Sequence, residues 1–183
     1  VVRMLKLAMF TGMRRGEIFK LEDHDLDFNF KLITIRDPKG DQTVTIPMNT
    51  IAEGIISEQL EWRDKHHQGS SVIFPGKLGG IRKDCTAVKR IKERSKLPDK
   101  FRIFHGLRHH FAVTLANSGQ FQIDEIAELL THKDPRLTKE RYGQFLPETK
   151  QRLSNKAADL LMKGIDIDNS EKDRNNNVSK KAE

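Results

Sequence analysis

The sequence predicts an α+β fold, mainly α-helical, in which a small antiparallel β-hairpin packs on a bundle of helices. Three observations carry that expectation. Two β-branched runs, KLITIR and TVTIPM, flank the turn text DPKGDQ, the pattern of a hairpin. Apolar residues on either side of it recur at three- and four-residue intervals, the helical period. Connections between the later helical segments are short, so those helices pack as neighbours.

In chain order, VVRMLKLAMF places Val1, Leu5, Ala8 and Met9 at helical spacing, and TGMRRGEIFKL adds a glycine break and a second short helix. The chain thus opens as if inside a fold, and a preceding domain is expected to be missing. The hairpin follows, with Lys39 at its tip. From Thr50 to about His66, Ile51, Ile55, Ile56 and Leu60 outline a helix, with Asn49 or Thr50 as its N-cap. SSVIFPG reads as a short buried extended segment, and IRKDCTAVKRIKERSKLP as a strongly basic helix that ends before Pro98.

From Phe104 the pattern is helical almost throughout. FHGLRHHFAVTLANSG stops at Gly119, IDEIAELLTH sets Ile123, Ile126, Ala127 and Leu130 on one face, and PETKQRLSNKAADLLMKG starts on a proline in its first turn. Residues 165–183 are polar, rich in asparagine and without apolar period, so a disordered tail is expected there. The expected organisation is one domain over residues 1–164 followed by that tail. A chain of 183 residues is long enough for one well-packed core.

No apolar run approaches the roughly 18 residues of a membrane span, and no signal-peptide pattern is present, so a soluble, cytoplasmic protein is expected. The single cysteine, Cys85, excludes an internal disulfide and a Cys-x-x-Cys pair, and no structural metal is expected. The net charge of +7 points to a polyanion. Its placement is sharper than its size. Between Lys77 and Arg102, ten basic side chains face three acids, so this one segment carries the whole excess and reads as a phosphate-facing surface.

Arg14 follows a glycine turn, where a side chain can be aimed across a cleft. Glu17, three residues on, is placed to pair with Arg14 or Arg15; a carboxylate there fixes an arginine's orientation but repels phosphate, so its expected role is structural. His105 and Arg108 are spaced i, i+3 on one helix face, with Leu107, Phe111 and Leu115 on the packing side. His105 and His109 are spaced like the ligands of a zinc-protease helix, but Gly106 stands where such a helix needs a glutamate.

Arg14 in TGMRRGEI, Lys39 before the strand in KGDQTVTIP, His105 and Arg108 in HGLRHHFA, and His132 and Tyr142 in LLTHKDPRLTKERY form an ordered series. That series resembles the tyrosine recombinases, the phage integrases in particular, over residues 1 to about 160. The resemblance implies an integrase-type catalytic domain with Arg14, Lys39, His105, Arg108, His132 and Tyr142 as catalytic residues, and no cofactor. It also implies double-stranded DNA attachment sites as substrate and a homotetramer on DNA. The isolated domain is expected as a monomer, accessory DNA-bending proteins are candidate partners, and the expected location is the nucleoid. The C-terminal piece carrying Leu153, Ala157, Leu160 and Leu161 is the candidate for exchange between protomers, or equally for packing on its own domain.

The residue types suit phosphoryl transfer. Arginines stay protonated and offer planar bidentate donors to phosphate oxygens, each such donor being worth about 3 kcal/mol in a transition state. A tyrosine phenol, reference pKa near 10, must lose its proton as it attacks; His105 is a candidate base, Lys39 the candidate acid for the leaving 5′ oxygen, and His132 a phosphate donor. Two alternatives remain: a type IB topoisomerase, which uses a similar set, and a DNA-binding relative that has lost catalysis. Two departures from the family pattern bear on geometry. The interval from His132 to Tyr142 is one residue longer than in most members, and Thr131 replaces a glycine. The extra residue must be absorbed around Asp134 and Pro135; otherwise the tyrosine points away from the pocket until DNA is bound.

Overall fold

The computed structural model describes residues 1–36, 43–132, 135–142 and 154–158. Lys39, Asp134, Leu153, Leu160, Leu161 and the expected tail lie outside them. The elements run α1 (Val2–Thr11), α2 (Arg15–Lys20), a 3₁₀ turn (Asp23–Asp25), β1 (Leu26–Asp27), β2 (Leu32–Arg36), β3 (Thr43–Pro47), α3 (Thr50–His66), α4 (Thr86–Arg94), α5 (Ile103–Ser118), α6 (Ile123–Leu129) and α7 (Pro135–Tyr142). The α+β expectation, mainly helical with a small antiparallel sheet, is met.

The hairpin pairs Leu32 with Pro47 and Arg36 with Thr43, and Ile33, Ile35 and Ile46 face inward by the period of two. A third strand, β1, adds to its edge through Leu26 and Asp27. Sequence reading missed it because two residues inside the acidic text DHDLDF carry no alternation. The turn that makes it is local chemistry: Asp27 Oδ1 accepts hydrogen bonds from the backbone N–H groups of Asn29 and Phe30.

Helix α3 begins where expected, with the Asn49 side chain accepting from the Ala52 N–H at 2.9 Å. Its buried stripe is Ala52, Ile55, Ile56, Gln59 and Arg63, whereas Ile51 turns out to solvent. Gln59 donates to the Ile73 carbonyl and Arg63 pairs with Asp23 at 2.6 Å, which ties the helix to the SSVIFPG segment and the 3₁₀ turn. That segment is extended and buried as expected, through Val72, Ile73 and Phe74. In α1 the buried stripe is Met4, Leu7, Ala8 and Thr11, rotated from the expected one. The rotation follows from sandwiching α1 between α3 and α5.

The basic helix α4 starts at Thr86, five residues later than the sequence suggests. Gly79 in a left-handed turn and Arg82, whose guanidinium donates to the Pro75 carbonyl, hold the preceding stretch as a loop. Two hydrophobic clusters organise the rest. One joins α1, α2, α3, the sheet and Phe104; the other joins Ala112 and Ala116 of α5 to Ile126, Leu130 and Tyr142. Among the described residues, no helix is long and apolar enough to cross a membrane.

Candidate active site

Arg108 lies at the seam between the two clusters. The sequence placed it on an outward polar face with His105, but it is 7% exposed and shares its buried row with Phe104, Ala112 and Ala116, spaced by four. Leu107, Phe111 and Leu115 are half-buried instead. The reason is what the guanidinium binds. Nη1 donates to the Gly12 carbonyl at 2.7 Å, and Nη2 donates to the Leu130 carbonyl. Those carbonyls are the C-caps of α1 and α6, the negative ends of two helices and groups that lack intrahelical partners. A buried cation is thus matched by two helix termini. Burial, with Arg14 next, lowers its pKa to about 10, so it remains protonated at neutral pH.

Gly12 is fixed by the same junction. It caps α1 in the left-handed region at φ 68, and a Cβ there would stand 2.8 Å from the Phe111 ring and 3.0 Å from Leu130. Two residues on, Arg14 caps α2. The Glu17 carboxylate accepts from the Arg14 backbone N–H at 2.6 Å and from its Nη1 at 2.8 Å, the structural pairing expected of Glu17. The same Nη1 donates to Thr131 Oγ1 at 3.1 Å.

Helix α6 ends in a Schellman motif. The Thr131 N–H bonds the Glu128 carbonyl and the His132 N–H bonds the Ala127 carbonyl, with Thr131 at φ 52. This turn sets His132 beside the arginines. Its Nδ1 lies 2.6 Å from Thr138 Oγ1 of α7, and Thr138 is wholly buried. Burial first, then Arg108, Arg14 and Arg141, lowers the His132 pKa to about 4. His105, exposed in the first turn of α5, is also lowered, by desolvation and then by Arg141, His109, Arg102 and Arg108. Both imidazoles are neutral at pH 7.

Arg14, His105 and Arg108 line one cavity of ≈ 750 Å³, together with Arg15, Lys89, Lys92 and Arg102. The cavity therefore collects four further cations beside the three candidate site residues, two of them from the basic helix. Tyr142 is not among the lining side chains. It ends α7, is 2% exposed, and packs on Ala112, Ala116, Ile126 and Leu130, with its ring 5.5 Å from that of His109. It lies within electrostatic reach of Arg108, whose charged form a Tyr142 phenolate would favour. Among the described residues no three His, Cys, Asp or Glu side chains are grouped to hold a metal ion. Sequence reasoning missed Thr138 and the hydroxyl bond of Thr131. Only the replacement of a glycine at Thr131 hinted at the second.

The phage integrase family model matches residues 2–149. Tyrosine recombinase XerC of Xanthomonas axonopodis pv. citri is 31% identical over 135 residues, covering 72% of this chain and 42% of the relative. The ICEBs1 integrase of Bacillus subtilis is 28% identical over 177 residues, covering 85% of this chain and 48% of the relative. Among solved structures, the Tn1549 transposon integrase in complex with a circular intermediate DNA superposes with a TM-score of 0.63 at 20% identity, over 76% of this chain and 53% of that one. The chain spans less than half the length of the curated relatives it matches.

Proposed function

The chain belongs to the phage integrase family, and on that premise we propose that it is the catalytic part of a site-specific DNA recombinase. The observation that carries the reading is the convergence of Arg14, His105 and Arg108 on one cation-lined cavity, with Tyr142 within electrostatic reach of Arg108. In this reading a DNA phosphate enters the cavity, and Arg14 and Arg108 bind its non-bridging oxygens, where charge grows as the pentacoordinate state forms. Arg15, Lys89, Lys92 and Arg102 take neighbouring phosphates, a contact that carries little sequence information.

The Tyr142 oxygen attacks phosphorus, its proton passing to neutral His105, and the bond to the 5′ oxygen breaks as Lys39 protonates that oxygen. In the tautomer in which the Thr138 hydroxyl donates to Nδ1, the His132 proton sits on Nε2 and can donate to the phosphate. The product is a 3′-phosphotyrosine linkage. It keeps the energy of the broken bond, so a 5′ hydroxyl from a second strand reverses the step and rejoins DNA. Because Tyr142 is sealed in its cluster, attack requires α7 to shift when DNA binds. Residues 154–158 are helical and exposed throughout, which supports exchange of that segment between protomers of a tetramer.

The test is a nicked suicide duplex carrying the DNA junctions that flank the gene. The wild-type protein is expected to form a covalent adduct, and Tyr142→Phe none. An adduct with the variant overturns Tyr142 as nucleophile. Relaxation of supercoiled DNA without site preference supports the topoisomerase reading instead, and binding without adduct supports a non-catalytic relative.

A further inference from the structure

Thr131 holds a backbone conformation that a β-branched residue avoids. At φ 52 it occupies the position after the helix end in a Schellman motif, where glycine is the favoured residue because a Cβ crowds the backbone there. Such an outlier points to function when something specific compensates it. Here the compensation is the hydroxyl, which accepts from Arg14 Nη1 at 3.1 Å across 117 residues of sequence. The preceding carbonyl, of Leu130, accepts from Arg108. One dipeptide therefore holds both guanidiniums.

We propose that the Thr131 hydroxyl is a positioning group for Arg14, orienting its guanidinium for a phosphate oxygen in the cavity. The inference rests on the reading of Arg14 as a phosphate ligand. Arg14 Nη1 is gripped from two sides, by Glu17 Oε1 at 2.8 Å and by Thr131 Oγ1, which leaves the Nη2 and Nε donors for the phosphate. A second carboxylate in place of Thr131 would fix the guanidinium equally well but repel the phosphate. A hydroxyl orients it without adding negative charge. Glycine at this position relieves the backbone and surrenders the contact, so stability and activity are set against each other at one residue.

The experiment compares wild-type protein with Thr131→Gly and Thr131→Ser on the nicked junction duplex. Thr131→Gly is expected to melt about 2–4 °C higher and to form adduct roughly tenfold more slowly at saturating DNA, consistent with the loss of one orienting hydrogen bond. Thr131→Ser keeps the hydroxyl and is expected within about twofold of wild type. In an Arg14→Lys background, Thr131→Gly is expected to have no further effect on rate. An equal tenfold loss in that background, or a Thr131→Gly rate matching wild type, overturns the proposal. A DNA-free arm separates this from the function itself: inorganic phosphate is titrated while the Arg14 Nε–H resonance is followed. Several-fold weaker binding in Thr131→Gly than in wild type and Thr131→Ser supports positioning even where the wild type forms no adduct, and equal binding in all three overturns it.

Discussion

The cluster beneath α1, α3 and the sheet is filled by long side chains, among them Met4, Leu7, Ile18, Ile33, Ile56 and Phe74, all 2% exposed or less. The cluster between α5, α6 and α7 is filled by Ala112, Ala116, Ile126, Leu130 and the ring of Tyr142. Arg14 is mounted on the first region, through α1 and α2, and Tyr142 is part of the second. On the proposed reading, the difference lets one domain keep Arg14 on its larger core while the nucleophile candidate sits in a smaller one. Burial stabilises in proportion to apolar area, and among the described residues the second cluster has five buried members, covered by half-buried Phe111, Val113, Leu115, Phe121 and Ile123, against seventeen in the first; the smaller cluster is therefore expected to open at lower free energy.

Arg108 joins the two regions, and its removal is the largest change expected. Arg108→Ala leaves the Gly12 and Leu130 carbonyls buried without their donor, which costs about 2 kcal/mol of stability. It also removes a buried cation from the cavity, and adduct formation is expected to fall by about a thousandfold. Arg108→Lys keeps the charge but not the fork, so it retains stability better than activity. An adduct rate for Arg108→Ala within tenfold of wild type removes Arg108 from the phosphate site.

A matched pair of truncations probes the comparison itself. Leu7→Ala in the first cluster is expected to cost about 3 kcal/mol, read from the urea midpoint. Ile126→Ala in the second is expected to cost about 2 kcal/mol because neighbouring α7 can relax into the space. The chain contains one tyrosine, so nitration reports Tyr142 alone. Ile126→Ala is expected to raise the nitration rate about tenfold in buffer, at unchanged far-ultraviolet circular dichroism. Leu7→Ala is expected to leave it near the wild-type value. Parallel increases in both variants mean that the two clusters open as one unit and that Tyr142 has no release of its own.

The helices and hairpin were legible because their signals are local: Asn49 caps α3, Gly119 ends α5 at φ 60, and Ile33 and Ile35 alternate in β2. The burial of Arg108 was not, because it depends on two carbonyls 96 and 22 residues away that only packing brings together. The same holds for Thr131, whose backbone strain and hydroxyl contact leave no mark in the text beyond an unexpected residue type. Tyr142 was legible as a candidate, but not its seal against Ala112 and Ala116, since small residues in a helix carry no directional signal. The six candidate positions therefore came from their order in the chain, whereas the groups that hold Arg14, Arg108, His132 and Tyr142 came from the structure.

The smallest expected effect belongs to His132. In the folded chain burial, then Arg108, Arg14 and Arg141, lowers its pKa from 6.5 to about 4. The unfolded chain takes up a proton near 6.5 that the folded chain refuses until about 4, so the contribution is fully present above pH 6.5 and is lost as pH falls toward 4. Allowing for its partial exposure, the loss is about 1 kcal/mol. Urea midpoints at about pH 7 and pH 4.5 for wild type and His132→Gln isolate it, since carboxylate titrations are common to both proteins. Wild type is expected to lose more stability than the variant over that interval; equal losses mean that His132 titrates as a free imidazole. Because His132 joins α6 to Thr138 of α7, the destabilisation is local. Hydrogen exchange at acid pH is expected to quicken in α7 before α3, so that protonation loosens the tyrosine's helix while the first cluster and Arg14 stay in place.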